Sequence, residues 1–165
     1  MSKKAHKNQV KVEIPDYQTI REIVIKGAER GGERKQFMFL DRNKQLQELN
    51  FKQSFHLIRT LGTYFISKGL KEGKKIAIVS DNSIYWGFAY YAIIVTGNVV
   101  VPMDAKLSYE DIEDQLVRCD CDAIVYSPKF QKFVDDVKAN GRVKANEYFC
   151  IDDFDEFHAT GEKLI

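Results

Sequence analysis

From residue 75 onward, short apolar runs of strand length alternate with segments of helical character, and this alternation limits the possible folds more than any other feature. Strands that are apolar along their whole length are buried on both faces of a sheet. Strands that alternate with helices form βαβ units. The pattern therefore predicts an α/β fold with a mainly parallel sheet and helices on both faces. Its four predicted strands are residues 75–80, 99–102, 122–126 and 147–151.

Three helices are predicted between these strands. Residues 83–95 are apolar nearly all round, which is typical of a buried helix. The second helix begins after Ser108, a preferred N-cap residue, and the third covers residues 128–138. Apolar residues of the second helix recur on one face: Tyr109, Ile112, Leu116 and Cys119.

A helix and a β-hairpin are predicted ahead of the sheet. Thr19 and Glu22 have the spacing of a capping box, and a glycine pair ends the helix that they begin. Residues 36–40 and 45–49 are short apolar runs on either side of a turn-rich tetrapeptide. That arrangement favours a hairpin.

A longer helix is predicted between the hairpin and the first strand of the sheet. Asn50 stands where an N-cap belongs, with Gln53 three residues on, and Gly69 suits the position after the helix. An apolar stripe at helical spacing predicts a core-facing side on which the ring of Phe55 is buried. Its members are Phe51, Phe55, Ile58, Leu61 and Phe65.

Charge and composition divide the chain into three parts. Residues 1–14 are rich in lysine and are predicted to form a flexible basic arm. Residues 15–151 form the predicted α/β subdomain, and residues 152–165 are expected to be an extended acidic tail. A formal net charge of +1 gives no electrostatic reason to expect nucleic acid or an acidic membrane as a partner.

Cysteine and histidine usage argues against a metal site. Cys119, Cys121 and Cys150 lack CxxC spacing, and His6, His56 and His158 lie far apart in the sequence. The cysteines are expected to be reduced, as in a cytoplasmic protein. The apolar region that begins at residue 84 is interrupted after about twelve residues, so it suits a buried helix better than a membrane span.

Two loops are the candidate ligand-binding positions. An open parallel sheet usually binds ligands at the carboxyl ends of its strands. Residues 80–83 (SDNS) and 102–105 (PMDA) follow predicted strands and carry hydroxyl, carboxylate and amide groups. Asp81, Asn82 and Ser83 are equally good N-cap residues for the next helix. Helix capping and ligand binding therefore both remain open for the first loop.

Phosphate-binding and nucleophile motifs are missing from the sequence. Ten glycines are present, but nowhere do they form GxGxxG or GxxxxGK. No GxSxG elbow occurs either. The sequence therefore assigns no catalytic, cofactor-binding or metal-binding residue to this chain.

One series of segments resembles the opening part of the adenylate-forming, AMP-binding enzymes. The segments are residues 68–78 (KGLKEGKKIAI), 80–86 (SDNSIYW) and 96–104 (TGNVVVPMD), followed by the helix and strand of 108–127. Their order and spacing agree with the family over about residues 16–130. The end of the chain is most similar to the long-chain fatty acid–CoA ligase branch.

That resemblance implies an activity for a longer parent protein. A fatty acid carboxylate would attack ATP, giving an acyl-adenylate and pyrophosphate, and CoA would then displace AMP, with Mg²⁺ screening the phosphates. The family's phosphate loop and later catalytic residues have no counterpart in these 165 residues. The chain is therefore expected to be an inactive N-terminal fragment. Its expected partners are the remainder of its own chain and a second copy of itself.

Two other functions remain open. The chain could be a free-standing α/β module that binds a small ligand through residues 80–83 and 102–105. The parent could instead be an adenylating enzyme that loads a carrier protein rather than CoA.

Overall fold

The structure, a computed structural model, describes residues 15–41 and 43–165, so the basic arm predicted for residues 1–14 lies outside the described residues. Six α-helices and six strands occupy the described ranges. Their order along the chain is α1 (Ile20–Gly31), β1 (Lys35–Leu40), β2 (Leu46–Asn50), α2 (Phe51–Ser67), β3 (Lys75–Val79), α3 (Ile84–Val95), β4 (Val99–Pro102), α4 (Tyr109–Cys119), β5 (Ala123–Tyr126), α5 (Gln131–Asn140), β6 (Glu147–Cys150) and α6 (Phe154–Glu162).

The main sheet is fully parallel and has the strand order β4-β3-β5-β6. Successive residues of β3 point to opposite faces, so Ile76 and Ile78 pack with α2, α3 and α6, while Ala77 and Val79 pack with α4 and α5. Both faces of the sheet are therefore covered. This confirms the predicted α/β class with helices on both sides.

The hairpin formed by β1 and β2 is antiparallel. It lies against the core between the main sheet and helices α2, α3 and α6, which we call the first core. The ring of Phe37 meets that of Phe88 edge-on, with centroids 6.2 Å apart. The rings of Phe39 and Tyr85 are arranged in the same way, with centroids 6.5 Å apart. The opposite face of the hairpin is exposed and carries Met38, Leu40 and Leu46. The predicted hairpin is confirmed. Its exposed face is not purely polar, because it carries these three apolar side chains.

Helix caps agree closely with the sequence. Asn50 and Gln53 form the complete capping box of α2, with each side chain accepting from the other residue's backbone N–H. At α1, Thr19 Oγ1 accepts from the N–H of Glu22 at 3.1 Å, but the Glu22 carboxylate accepts from Gln18 instead. The first capping box is therefore only half formed.

Phe55 is not buried as predicted. Its ring is half-buried at the edge of a cavity between α1, α2 and α3, whereas Phe65, further along the same stripe, is fully buried. Both halves of α2 contain buried residues, among them Ile58 and Leu61, but Phe55 lies on the side that faces the cavity. Helical spacing identified the correct face but not the depth of each position.

Residues 152–165 do not form the extended tail expected from their acidity. Residues 151–153 form a 3₁₀ turn and α6 follows, with Phe154 and Phe157 buried in the first core. Phe157 stacks on Tyr64 of α2 with ring centroids 4.4 Å apart. Acidic residues cluster in the first turn of α6, where the helix dipole favours negative charge. Two buried aromatic rings thus outweigh the polar composition of the segment.

Candidate functional site

The two candidate loops lie together at the carboxyl edge of the sheet. Strands β3 and β4 are neighbours, so residues 80–83 and 102–105 leave the sheet side by side. They enclose a cavity of about 210 Å³. Its lining consists of Ser80, Asp81, Asn82, Trp86, Met103, Asp104, Ala105 and Lys106.

In the first loop, one residue caps helix α3 and the others line the cavity. Ser83 caps α3 by accepting from the N–H of Trp86 at 3.1 Å. Ser80 is buried, and its hydroxyl donates to the carbonyl of Asp81 at 2.9 Å. Asp81 and Asn82 do not cap the helix and line the cavity instead. The capping role left open for this loop therefore belongs to Ser83 alone.

The second loop is held to the sheet by main-chain bonds. Met103 N–H donates to the carbonyl of Ile78 at 3.0 Å and so extends the pairing of β4 with β3. Asp104 then folds the chain back, because its Oδ1 accepts from the N–H of Lys106 at 2.9 Å. This turn brings the side chain of Lys106 to the cavity wall.

Sequence reasoning missed several residues of this region. Trp86 belongs to the helix predicted to be buried, but it is half-buried, lines the cavity and stacks on Tyr90 with ring centroids 5.2 Å apart. Lys129 was not considered, yet its Nζ is 3.0 Å from Asp81 Oδ1. It follows β5, whose end lies beside that of β3, and this neighbour relationship depends on a strand order that the sequence prediction did not specify.

Ser127 was also missed. It follows the last residue of β5 directly, and its N–H donates to the carbonyl of Val79 at 3.2 Å. Its Oγ is the one buried side-chain polar atom in residues 15–41 and 43–165 that has no hydrogen-bond partner.

The cavity can hold a small polar ligand but does not fit ATP. Two carboxylates, Asp81 and Asp104, face it with a single ammonium group from Lys106. A triphosphate needs converging N–H donors and positive charge, as a glycine-rich loop provides. The cavity lining contains neither a glycine nor a surplus of cations. We therefore derive no phosphate chemistry from this site.

Among the described residues, the cysteines and histidines form no second site. Cys121 is buried, and burial raises the pKa of its thiol to about 12, which removes its nucleophilic form at neutral pH. His158 lies on α6 with Nδ1 2.8 Å from Thr60 Oγ1. Within the described ranges, no group of three His, Cys, Asp or Glu residues is placed to hold a metal ion. None of the described helices is both long and apolar enough to cross a membrane.

The family is established by comparison of sequences. Residues 26–162 match the family described as AMP-binding enzyme. The chain belongs to that family. A search of curated protein sequences finds no match.

Several solved structures share this fold. The N-terminal domain of FACL13 from Mycobacterium tuberculosis superposes with a TM-score of 0.77 at 14% identity, covering 87% of this chain and 36% of that one. The long-chain-fatty-acid-CoA ligase FadD1 from Archaeoglobus fulgidus gives a TM-score of 0.77 at 16% identity, covering 93% and 33%.

A third structure contains a bound reaction intermediate. The o-succinylbenzoate CoA synthetase MenE from Bacillus subtilis, in complex with the acyl-adenylate OSB-AMP, superposes with a TM-score of 0.67 at 18% identity. The alignment covers 83% of this chain and 32% of that one. This chain thus spans about a third of the length of the three structures. At these identities the likeness establishes the fold alone.

Proposed function

We propose that this chain is the N-terminal part of an ATP-dependent acyl-CoA synthetase that converts a fatty acid, ATP and CoA to acyl-CoA, AMP and pyrophosphate. The proposal rests mainly on the match of residues 26–162 to the AMP-binding enzyme family. Two of the structural neighbours, FACL13 and FadD1, support the fatty acid as substrate class. MenE in its complex with an acyl-adenylate supports the adenylate intermediate.

The proposed role of the 165 residues is structural. Their sequence has no glycine-rich phosphate loop, and the cavity at the carboxyl edge of β3 and β4 does not suit a triphosphate. The residues that bind ATP, Mg²⁺ and CoA would then belong to a further part of the protein. The β4-β3-β5-β6 sheet would support that part and would not contact the reacting groups.

Pyrophosphate exchange tests this proposal. The 165-residue chain and a longer chain encoded by the downstream gene sequence are each incubated with Mg·ATP, a fatty acid and labelled pyrophosphate. We expect fatty-acid-dependent exchange from the longer chain and none above background from the 165 residues. Exchange by the short chain, or tight binding of Mg·ATP to it in calorimetry, contradicts the structural role. Absence of exchange in both contradicts the proposed enzyme class.

The acyl acceptor is tested separately. With the longer chain, release of AMP upon addition of CoA supports a CoA ligase. Release only upon addition of a phosphopantetheinylated carrier protein favours the carrier-loading alternative. The two acceptors carry the same thiol, so the comparison isolates recognition of the rest of the acceptor.

A free-standing binding module is the second candidate, and one observation favours it. Residues 80–82 and 103–106, together with Trp86, line one cavity of about 210 Å³ at the carboxyl edge of the sheet. The gene sequence separates this candidate from the first, because an in-frame glycine-rich loop downstream supports the synthetase.

The cytoplasmic location stays a prediction. Fractionation of cells, followed by detection with an antibody against the chain, can test it.

A further inference from the structure

A second cavity lies on the other side of the molecule, between α1, α2 and the end of α3. Its volume is about 290 Å³, close to the lower limit for small-ligand pockets. It shares no lining residue with the cavity at the carboxyl edge of the sheet. The lining residues are Arg21, Ile25, Phe55, Arg59, Thr63, Ile66, Val95 and Thr96.

Two arginines reach this cavity from different helices. Arg21 lies in the first turn of α1 and Arg59 lies in the middle of α2. Neither guanidinium has an acidic partner or a hydrogen bond among the residues that the structure describes. By contrast, Arg142 is paired with Glu113 and Asp114. Two like charges are thus brought to one cavity without a compensating carboxylate.

The remaining wall is apolar or already satisfied. Ile25, Phe55, Ile66 and Val95 present hydrocarbon or aromatic surface to the cavity. Thr63 Oγ1 donates to the carbonyl of Arg59 at 2.9 Å. Thr96 Oγ1 donates to two carbonyls of α3 at 2.9 and 3.0 Å. The threonine protons are therefore engaged, and the arginines are the free donors of this wall.

We propose that this cavity binds a small amphiphilic carboxylate, with its charged group between Arg21 and Arg59 and its apolar body against Phe55 and Val95. A guanidinium is planar and pairs with a carboxylate through two parallel hydrogen bonds. The apolar wall requires a ligand that also gains from leaving water. Both features together select a medium-chain monocarboxylate, such as octanoate, over a purely ionic solute.

The site is separate from the synthetase reaction and does not depend on the proposed function. Binding needs neither ATP nor CoA, and it is measured on the 165-residue chain alone. Failure to bind a carboxylate here would leave the pyrophosphate-exchange result unchanged. Conversely, an enzyme class other than the proposed one would leave this cavity as it is.

The probe is octanoate, titrated into labelled protein while amide shifts are followed by NMR. Both arginines are exposed, so solvent weakens their attraction. For a ligand of this size we expect a Kd on the order of several millimolar. We expect saturable shifts in α1, α2 and the end of α3. Octanol, which lacks the charge, and acetate, which lacks the chain, should each bind at least about tenfold more weakly.

Single variants identify the charged contacts. Arg21→Gln and Arg59→Gln should each weaken octanoate binding by about tenfold, the loss expected for one charge-assisted contact. Arg118→Gln is the matched control, since Arg118 is exposed on α4, which packs on the opposite face of the sheet, and has no described partner. Its affinity should equal that of the wild type. Equal losses in all three variants would overturn the proposal, as would unchanged affinity in the first two.

Two further outcomes also decide against the site. Thr63→Phe places a ring in the cavity and should abolish binding while the thermal unfolding midpoint confirms that the variant is folded. Undiminished binding to that variant would place the ligand elsewhere.

A last experiment measures whether the protein floats with phosphatidylglycerol vesicles. Arginine-dependent binding to vesicles without saturable octanoate binding would mean that the surface recognises a lipid bilayer and not a small carboxylate.

Discussion

Thr60 Oγ1 and His158 Nδ1 are 2.8 Å apart, although their residues are separated by 98 positions in the chain. This contact joins the middle of α2 to α6. One turn further along α6, Gly161 packs so closely on the Thr60 carbonyl that a Cβ would overlap with main-chain atoms. The acidic C-terminal segment is therefore fixed to the core by a specific helix pair.

Gly161→Ala should destabilise the chain by about 1–3 kcal/mol or more, because the added methyl meets backbone that cannot turn away. The measurement is the free energy of unfolding from urea titration. Gly27→Ala in α1 is the control, since a Cβ there meets nothing within 4 Å. That change should stabilise the chain by about 0.5–1 kcal/mol, the helix preference for alanine. If both variants behave alike, the close approach of α2 and α6 is wrong.

Protonation of His158 should destabilise the fold in mild acid. Burial lowers the pKa of its imidazole to about 4, and nearby His56 acts in the same direction while Asp155 opposes it. The unfolded chain, with a pKa near 6.5, binds the proton first as the pH falls. Stability is thus complete above about pH 6.5 and is lost progressively down to about pH 4, by roughly 3 kcal/mol at most.

His158→Asn tests this assignment. Asparagine keeps a group that can bond to Thr60 but cannot take up a proton in this range. Urea titrations at several pH values should show a shallower dependence between pH 6.5 and 4 than in the wild type. An identical slope in both proteins would assign the acid sensitivity to other groups.

Phe65→Ala should cost far more stability than Phe55→Ala. Phe65 is fully buried, which corresponds to about 3–5 kcal/mol for removal of the ring. Phe55 is half-buried at a cavity edge, so its loss should cost roughly 1–2 kcal/mol. Urea titration of the two variants gives the comparison. Equal losses would show that α2 lies deeper in the core along its whole length.

Self-association is expected through the outer face of the hairpin. Leu40 and Leu46 are 64% and 60% exposed and are paired across the strands, with Met38 on the same face. Contiguous apolar surface of this kind favours a second copy, and a net charge of +1 offers little repulsion. Light scattering at micromolar concentration should show a dimer or larger species.

The double variant Leu40→Lys and Leu46→Lys should be monomeric, because it adds charge to that face without touching the core. Val117→Lys, on an exposed position of α4, is the matched control and should leave association unchanged. A wild-type monomer at high concentration would contradict the prediction. Association that survives the double variant would place the contact elsewhere.

The sequence predicted the architecture well because the local signals agreed with one another. Apolar strand runs, the N-caps at Asn50, Ser83 and Ser108, and the hairpin turn each pointed to the element that formed. It also placed the two loops correctly, since the carboxyl ends of neighbouring parallel strands must meet at one edge.

The remaining features depend on contacts between distant segments. Helix α6 was missed because its acidic residues dominate the composition, while its stability comes from Phe154 and Phe157 packing on α2. The depth of Phe55 was misjudged because helical spacing gives a direction and not a distance from the core. The cavity with Arg21 and Arg59 was invisible for the same reason, since it requires the relative placement of α1 and α2.

The order of strands in the sheet has a consequence for synthesis. Strand β3 leaves the ribosome before its neighbours but lies between β4 and β5. About fifty further residues must be translated before its second edge can be paired, because β5 ends at Tyr126. During that interval the nascent chain carries an apolar strand with an open edge, which is a site for wrong pairing or for chaperone binding. Slower translation through residues 80–126 would prolong the interval in which that edge can pair wrongly.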